Sequence, residues 1–470
     1  MEMNVELSGK KVLVLGLGES GLSMARWFHR KGAQLRVADS REQPPHAAQL
    51  ASEMPQVPLE RGPFRSSSFS GIDIIAISPG VALREPRVSE ALNAGVFVAG
   101  DVEFFSHALK SFTGIKVIAI TGSNGKSTVT SMVGAMCRAA GLNTVVAGNI
   151  GLPVLDALTQ VETELSKGKK APDVFALELS SFQLETTYSL DASAASVLNL
   201  CQDHLDRYSS MDEYAAAKAR IFSGHGVQVV NRDDDFSRRL ASPSRTVLSF
   251  GLKTPANNRE WGMAVSGGEP WLAQGEVKLM PLTELPLAGS HNAANALAAL
   301  ALCRASGMEY PPLLSALKKF KGLPHRVQKI AEIRGVAFYD DSKGTNVGAT
   351  VAALSAMPQK AVLIAGGDGK GQDFSPLKSA VAAHARALVL IGRDADKITK
   401  DVAGCGVPLL RAVTMEDAVV LGFSKAQRGD AVLLSPACAS FDMFRDYQHR
   451  AEVFTRAVQG LQAQPKVGAN

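Results

Sequence analysis

Residues 121–128, TGSNGKST, have the residue types of a loop that binds nucleotide phosphates. Lys126 would reach the β and γ phosphates, and the Ser127 hydroxyl would bind Mg²⁺. The first glycine of the standard G-x-x-x-x-G-K-[ST] pattern is missing, because Ile120 occupies its position. The apolar run IKVIAI before the loop and STVTSMVGAM after it predict a strand, a loop and a helix, whose first N–H groups would face a phosphate. The alternative is a glycine-rich turn with no ligand. The candidate phosphate ligands are Gly122, Ser123, Asn124, Gly125, Lys126, Ser127 and Thr128.

Two later segments carry side chains that suit a metal ion. The apolar strand of DVFALELSSFQLE ends in Glu178, and a carboxylate at a strand end beside a phosphate loop is a natural partner for Mg²⁺. The segment SVLNLCQDHLDRY contains His204 and is followed by a predicted helix that carries Lys218. From the local sequence alone, a lone histidine or a helical lysine is more often structural or solvated, so these two roles stay open.

Three loops near the C-terminal end form a third group. YDDSKGTNVGAT carries Asp341, Lys343 and Thr345, AGGDGKGQDF carries Lys370, and LSPACASFDMF follows another predicted strand. Lysines on separate strand-end loops indicate a pocket for a small acidic molecule. Three ordinary connecting loops are the alternative.

The N-terminal segment contains a fourth pattern. Gly16, Gly18 and Gly21 follow a predicted strand with G-x-G-x-x-G spacing, and Asp39 comes 39 − 21 = 18 residues after the last glycine. Taken alone, this pattern is typical of an NAD enzyme.

These segments require an α/β architecture with mainly parallel sheets, because predicted strands and helices alternate along the whole chain. A length of 470 residues predicts about three domains. We place them at residues 1–100, 101–322 and 323–470, with an antiparallel hairpin around Gly267 and Gly268 inside the second.

Composition excludes several classes of protein. No apolar run approaches the length of a membrane span and the N-terminus lacks a secretory signal, so we expect a cytoplasmic protein without a membrane partner. The five cysteines lack C-x-x-C spacing, which argues against a disulfide framework or a zinc site. A net charge of +5 with no basic block predicts no nucleic-acid partner.

Together the motifs resemble the Mur ligases of peptidoglycan synthesis. The resemblance spans almost the whole chain in order, and the short T-G-[ST]-N-G-K-[ST] loop is the form found in that family. It rests on AITGSNGKST, GNIG, LELSSFQLE, DHLDRY, YAAAKARI, GSHNAANALAA, GLPHR, DDSKGTN, GGDGK and LSPACASFDMF. It implies Rossmann-like N- and C-terminal domains around a central P-loop mononucleotide-binding domain. It also implies an ATP-dependent ligase that adds D-glutamate to UDP-N-acetylmuramoyl-L-alanine through an acyl phosphate and a tetrahedral intermediate.

The resemblance assigns roles that residue spacing leaves open. Lys126, His204 and Lys218 would be catalytic, and Ser127, Glu178, His204 and Lys218 would hold Mg²⁺, with Lys218 carbamylated. Further ATP-binding positions are Asn292, Asn295, Arg326, Asp341 and Lys343. Because Arg326 and Lys343 come from the last domain, catalysis would require domain closure, which excludes water from a hydrolysable intermediate. The enzyme is expected to act as a monomer.

The same resemblance implies where the two other substrates bind. The UDP-sugar would contact Gly18, Glu19, Ser20, Asp39, Ser40, Arg41, Gly80, Asn149, Ser180 and Gln183. D-Glutamate would contact Thr345, Lys370, Ser440, Phe441 and Tyr447. Two positions depart from expectation: Glu19 places an acid near a pyrophosphate, and Tyr447 adds a hydroxyl where some relatives carry Phe.

Two other classes of function remain open. An NAD(P)-dependent oxidoreductase would use the first glycine pattern but leave the phosphate loop idle, and a nucleotide-driven switch would not need a cleft for small molecules. Within the ligases, the alternatives are an alanine-adding or diaminopimelate-adding enzyme, or folylpolyglutamate synthetase. The segment SPACASFDMF argues against these three.

Overall fold

The computed structural model describes residues 7–463, which form three β-sheets covered by helices. The first sheet has five parallel strands in the order β3-β2-β1-β4-β5. Its strands are β1 Lys11–Leu15, β2 Gln34–Asp39, β3 Leu59–Arg61, β4 Ile74–Ile77 and β5 Phe97–Ala99, and its helices are α1 Glu19–Arg30, α2 Ala47–Glu53, α3 Pro86–Asn93 and α4 Asp101–Leu109.

The second sheet has nine strands. They are β6 Lys116–Thr121, β7 Thr144–Gly148, β8 Val174–Glu178, β9 Ala194–Val197, β10 Val227–Asn231, β11 Val247–Phe250, β12 Glu260–Ser266, β13 Glu269–Gln274 and β14 Val277–Pro281, in the order β14-β13-β12-β11-β10-β9-β6-β8-β7. Strands β6 to β12 pair in parallel, whereas β12, β13 and β14 pair antiparallel. The predicted hairpin is therefore confirmed. Gly267 and Gly268, with φ of 60° and 82°, form its two-residue turn.

The helices that follow these strands are α5 Lys126–Ala139, α6 Val154–Ser166, α7 Ser181–Leu184, α8 Met211–Ala219, α9 Asp235–Arg239, α10 Ser290–Ala305 and α11 Tyr310–Lys319.

The third sheet has six strands in the order β15-β16-β20-β17-β18-β19. Only β15 runs antiparallel to its neighbour. The strands are β15 Gln328–Ile333, β16 Val336–Asp340, β17 Ala361–Gly366, β18 Ala385–Ile391, β19 Leu409–Arg411 and β20 Ala431–Leu434, and the helices are α12 Val347–Ser355, α13 Leu377–His384, α14 Ala395–Asp401, α15 Met415–Lys425 and α16 Tyr447–Ala463.

Both faces of the third sheet are covered, which explains its continuous apolar strands. In β17, Leu363 packs into one hydrophobic cluster with Phe374, while Val362 and Ile364 pack into another with Phe454. Parallel strands buried on both faces leave only their carboxyl ends available for polar chemistry. The α/β architecture with mainly parallel sheets is confirmed.

The chain divides into two compact units. The first runs to Asn199 and includes Tyr214–Pro281 and Ala296–Lys318, so it contains the first two sheets. The second contains Leu200–Glu213, Leu282–Asn295 and the chain from Lys319 onward, with the third sheet.

Two exclusions made from composition can be compared with the structure. All five cysteines are free thiols, four of them buried and Cys201 partly exposed. In the described part of the chain, no helix combines the length and apolar character that a bilayer span requires.

Candidate functional site

The missing first glycine of the phosphate loop is explained by strand β6. Ile120 is fully buried within this strand and pairs with Glu178 of β8 and Ser196 of β9. The strand therefore continues through the position where the standard loop would already have turned. Gly122, with φ of 153°, makes the turn instead, and a Cβ there would lie 3.1 Å from the Leu198 side chain.

The rest of the loop is held from strand β9 and helix α8. The side chain of Asn199 accepts a hydrogen bond from the backbone N–H of Asn124 at 2.8 Å and donates to its carbonyl at 3.1 Å. The hydroxyls of Ser123 and Tyr214 share a hydrogen bond of 3.1 Å. Gly125, with φ of 84°, precedes α5, whose first N–H groups form an anion site at a helix N-terminus.

Lys126 lies folded over this loop. Its ammonium donates to the carbonyls of Gly122 at 2.8 Å and Ser123 at 2.9 Å. Ser127 and Thr128 follow in the first turn of α5 and are buried. The ammonium is thus already located beside the loop that it would complete around a phosphate.

Glu178 ends strand β8 directly beside the phosphate-loop strand. Its side chain is buried, and Oε1 accepts a hydrogen bond from the Asn149 amide at 2.8 Å. Oε2 is also buried, yet it has no hydrogen-bond partner among the described residues. A buried carboxylate oxygen without a partner is costly, so this atom requires an explanation beyond folding.

Lys218 also contacts the phosphate loop. It is 1% exposed on helix α8, and its ammonium donates to the Gly122 carbonyl at 3.0 Å and to the Thr121 hydroxyl at 3.2 Å. The ammonium also lies 4.8 Å from the centre of the Tyr214 ring. The solvated reading of this helical lysine is wrong, because the structure buries it against the loop.

These side chains fit a hard divalent cation held partly by substrate. Within residues 7–463, no three His, Cys, Asp or Glu side chains cluster in a way that could hold a metal ion. Mg²⁺ needs no such cluster, since it usually keeps several waters and binds one or two carboxylates together with substrate phosphates. The unpaired Oε2 of Glu178 supplies one ligand of the required chemistry.

The glycines of the N-terminal loop have two different roles. A Cβ at Gly21 would lie 1.8 Å from the Gly16 carbonyl oxygen, and Gly16 itself has φ of 83°. A Cβ at Gly18 would meet nothing within 4 Å. Gly18 therefore leaves open space at the start of α1, where a phosphate could approach the backbone.

Asp39 joins the glycine loop to Arg41 through hydrogen bonds. Its Oδ2 accepts from the Leu17 N–H at 2.6 Å, and both oxygens accept from the Arg41 guanidinium at 2.7 and 2.8 Å. Asp39 is buried, whereas Arg41 is half exposed. Asp39 therefore holds the Arg41 guanidinium at the surface, and the exposed Glu19 side chain contacts His46 at 3.2 Å. Ser40 and Gly80 are exposed.

Helix α7 positions two further residues that were predicted to contact the UDP-sugar. The Ser180 hydroxyl accepts from the Gln183 N–H at 3.2 Å, and Gln183 Oε1 accepts from the Ser180 N–H at 3.1 Å, which forms a capping box. Asn149 is exposed except for its bond to Glu178.

In the second unit, three candidate loops meet at one edge of the third sheet. They follow β16, β20 and β17, which are adjacent, so their carboxyl ends lie side by side. Ser435 donates to Asp341 at 2.7 Å, the Ala437 N–H donates to the Gly344 carbonyl at 2.9 Å, and Asp368 pairs with Ala439. The predicted grouping of these loops is therefore what the structure shows.

Lys370 is anchored by an aspartate. Its ammonium pairs with Oδ1 of Asp203, and Oδ2 of Asp203 accepts from the Asn346 amide at 3.2 Å. Burial raises the pKa of Asp203, but Lys370 and His204 hold it below its usual value. Lys370 and His204 both adopt left-handed backbone conformations, with φ of 51° and 56°. Such strain in non-glycine residues persists only where surrounding contacts enforce it.

Lys343, a candidate for ATP binding, contacts Tyr447, a candidate for D-glutamate binding. The Lys343 ammonium donates to the Tyr447 hydroxyl at 3.0 Å and lies 4.1 Å from the centre of its ring. Thr345 is half-buried beside Lys343, Ser440 is buried, and Phe441 is 74% exposed.

Arg450 fixes two of these loops from beneath. Its guanidinium is fully buried and donates to the Ser342 hydroxyl at 3.0 Å, the Ser342 carbonyl at 2.7 Å and the Cys438 carbonyl at 3.1 Å. Burial lowers the pKa of Arg450 to about 10, and burial raises the pKa of Asp341 to about 7.

Asn292, Asn295 and Arg326 also belong to the second unit and are half-buried. Asn292 donates to the Ala288 carbonyl at 2.7 Å and accepts from the Asn295 amide at 3.4 Å.

Comparison with known protein families covers most of the chain. Three family models match in order: "Mur ligase MurD-like, N-terminal domain" at residues 10–100, "Mur ligase middle domain" at 120–303 and "Mur ligase, glutamate ligase domain" at 325–438. The chain belongs to the Mur ligase family.

Similar Mur ligases extend over the whole chain. The UDP-N-acetylmuramoylalanine–D-glutamate ligase of Thiobacillus denitrificans is 58% identical over 98% of both chains. The ligase of the same name from Methylobacillus flagellatus is 57% identical over 97% of this chain and 98% of its own.

Solved Mur ligase structures share the fold. The UDP-N-acetylmuramate-alanine ligase of Thermotoga maritima matches 96% of this chain and 99% of its own, with a TM-score of 0.60 at 19% identity. A pseudomurein peptide ligase type C from Methanothermus fervidus matches 96% of this chain and 100% of its own, with a TM-score of 0.59 at 17% identity.

Several side chains of this Mur ligase site were not singled out as ligands from the sequence. Asn199 and Tyr214 hold the phosphate loop. Asp203 holds Lys370, and Arg450 holds the C-terminal loops. Only Asp203 had a local signal, since it precedes the histidine of DHLDRY.

Proposed function

We propose that this chain is the ligase that joins D-glutamate to UDP-N-acetylmuramoyl-L-alanine with the hydrolysis of ATP to ADP and phosphate. The observation that carries this proposal is the full-length similarity to ligases named for that reaction, 58% identical over 98% of both chains. The arrangement of Lys126, Glu178 and Lys218 around one phosphate loop supports the use of ATP.

The reaction has two steps. A carboxylate oxygen of the alanyl group attacks the γ-phosphorus of ATP, and ADP leaves with the electrons of the broken P–O bond. The amine nitrogen of D-glutamate then attacks the acyl carbon to form a tetrahedral intermediate, which expels phosphate as the amine loses its proton. Lys126 and the N–H groups at the start of α5 hold the phosphates, so they stabilise charge that develops on them.

Mg²⁺ would be held by Ser127, Glu178, His204 and Lys218, and it would neutralise charge on the transferring phosphate. An ammonium at position 218 would repel the cation, whereas carbamylation by CO₂ gives a negative group with two oxygens. The burial of Lys218 against the Gly122 carbonyl supports this role. Asn292, Asn295, Arg326, Asp341 and Lys343 are proposed to complete ATP binding.

The other substrates are assigned to the two remaining sets of loops. We assign the UDP-sugar to the glycine loop around Gly18 with Glu19, Ser20, Asp39, Ser40, Arg41, Gly80, Asn149, Ser180 and Gln183. We assign D-glutamate to Thr345, Lys370, Ser440, Phe441 and Tyr447, since an ammonium suits a carboxylate. Three domains at 1–100, 101–322 and 323–470, a monomeric state and a cytoplasmic location complete the proposal.

A phosphate-release assay tests this function. Purified protein with ATP, Mg²⁺ and UDP-N-acetylmuramoyl-L-alanine is offered D-glutamate, L-alanine, L-lysine and diaminopimelate in turn. Release that depends on both the donor and D-glutamate supports the proposal, and preference for another amino acid contradicts it.

Ligand-induced stabilisation tests the N-terminal domain independently. UDP should raise the melting temperature by linkage, whereas NAD and NADP should not. Stabilisation by NAD without a response to UDP would instead support an NAD(P)-dependent oxidoreductase.

A further inference from the structure

Helix α4 begins with a buried acid that the proposed mechanism does not use. Asp101 is 0% exposed, and its Oδ1 accepts from the Val102 N–H at 3.0 Å. Oδ2 accepts from the Gln183 amide at 3.2 Å, and the Ser20 side chain also interacts with this carboxyl and acts to lower its pKa. Burial raises the pKa of Asp101, while these hydrogen bonds act against that rise. Burying a carboxyl to this extent costs stability unless hydrogen bonds to the carboxyl offset the loss of water.

The two side chains that interact with Asp101 come from different parts of the proposed nucleotide-sugar site. Ser20 lies in the first turn of α1, directly after the glycine loop, and Gln183 lies on α7 beside the nine-stranded sheet. Asp101 therefore bridges the UDP end and the muramoyl end of the proposed donor site. All of these residues belong to the first compact unit.

The contact also fixes which way the Gln183 amide points. Gln183 Nε2 donates to Asp101, so Oε1 accepts from the N–H and the hydroxyl of Ser180, at 3.1 and 3.3 Å. An amide with both ends engaged cannot flip without losing bonds at each end. Removing the negative charge at position 101 would weaken the bond that holds one end of this amide.

A second acid on the same helix serves as a comparison. Glu103 is 2% exposed, and it accepts from the backbone N–H groups of Tyr188 at 2.7 Å and Ser189 at 2.9 Å, with His107 at 2.9 Å. It thus joins α4 to the segment after α7 through backbone groups. Glu103 matches Asp101 in helix, charge and burial, but its hydrogen bonds go to no proposed substrate ligand.

We propose that Asp101 is a positioning residue for the nucleotide-sugar donor, which acts by orienting the Gln183 amide and also interacts with the Ser20 side chain. The inference rests on the proposed function, because it takes these two side chains as donor ligands. It separates Asp101 from Glu103, whose role is confined to the packing of α4.

The test compares Asp101→Asn with Glu103→Gln in the full-length protein. Steady-state kinetics give kcat and the KM for UDP-N-acetylmuramoyl-L-alanine, ATP and D-glutamate, and calorimetry gives the Kd for UDP. In Asp101→Asn we expect donor KM to rise about tenfold, the loss typical of a hydrogen bond to a charged group. The KM values for ATP and D-glutamate should change less than about twofold, and Glu103→Gln should lower the melting temperature with little change in donor KM.

A double-mutant cycle identifies the route of the effect. If Asp101 acts through Gln183, Asp101→Asn adds less than about twofold to donor KM in a Gln183→Ala background. Full additivity, an unchanged donor KM in folded Asp101→Asn, or equal changes in both single variants would each overturn the inference. If Asp101→Asn does not fold, Asp101→Glu is the second variant, because it keeps the charge but displaces the carboxylate from Gln183, and donor KM should rise about threefold.

Failure of the proposed function would look different. Wild-type protein would then bind UDP without D-glutamate-dependent phosphate release, and the UDP Kd values of the same variants would still decide the role of Asp101. Absence of UDP binding by the wild type would overturn both proposals.

Discussion

Replacing Glu178 by Gln should lower activity while making the metal-free protein more stable. The substitution keeps the shape of the side chain. It also keeps an oxygen that can accept from the Asn149 amide, which lies 2.8 Å from Oε1 in the wild-type protein. It removes the charge from Oε2, the buried oxygen that has no hydrogen-bond partner among the described residues. The two effects have opposite signs because the buried negative charge lowers folding stability but would attract a bound cation.

The size of each effect follows from burial. Glu178 is 1% exposed, so its charge is screened by protein more than by water. At an effective dielectric constant of about 20, a unit charge at about 4 Å from another is worth about 4 kcal/mol, which is about 10³-fold in rate. Replacing the unpaired charged oxygen by a neutral amide should stabilise folding by about 1 kcal/mol, and therefore raise Tm by about 2–4 °C.

The assay measures phosphate release at several Mg²⁺ concentrations, with Tm recorded with and without Mg²⁺-ATP. Glu164→Gln is the control, because it removes one charge from an acid on α6 that pairs with Lys167 and Lys169 at the surface. The control should keep wild-type turnover. Turnover of Glu178→Gln within about threefold of wild type, with the same Mg²⁺ dependence, would refute the role of Oε2.

Three further substitutions test other parts of the site. Lys218→Ala should lose at least about a hundredfold in turnover and recover partly with acetate, which supplies carboxylate oxygens; full activity without acetate would exclude the carbamate. Relative to Asp341→Asn, wild-type Tm should fall as pH rises from about 4 to about 7, because folded Asp341, whose pKa is raised from 3.8 to about 7, keeps a proton that the unfolded chain releases. Asp341→Asn should lack this component, and parallel Tm profiles for the two proteins would contradict the shift. Tyr447→Phe keeps the ring over Lys343 but loses its hydrogen bond, so the KM for ATP should rise about 2–10-fold; an unchanged KM would show that the hydroxyl does not position Lys343.

The strands and the phosphate loop could be predicted because their signals are local. VAFYD predicts a strand at residues 336–340, and β16 has these bounds in the structure. The pair Gly267 and Gly268 predicts the hairpin turn, since type I′ turns need positive φ at two successive residues. A short, mainly apolar run or a glycine pair carries this information in its local sequence.

The side chains that position the ligands could not be predicted in this way. Asn199 holds Asn124 across 75 positions of sequence, and Asp203 pairs with Lys370 across 167. The polar character of such a residue is visible in the sequence, but its partner is chosen by the sheet order. Asp101 was visible only as the start of the second domain, and its contact with Gln183, 82 positions away, depends on how α4 packs beside α7.

Backbone strain marks the same region and is equally hidden from sequence. His204, His325, Lys370 and Ala437 all have φ between 51° and 61°, although none is glycine. All four lie in segments that carry candidate ligands. Three of them contact another loop: His325 contacts Asp340, Lys370 contacts Asp203, and the Ala437 N–H donates to Gly344. A glycine would adopt these angles at lower cost, so the surrounding contacts must enforce them. For Lys370 the need is evident, because its left-handed backbone accompanies an ammonium paired with Asp203. The phosphate loop thus indicates a class of chemistry from a short pattern, whereas the contact between Lys370 and Asp203 exists only in the complete fold.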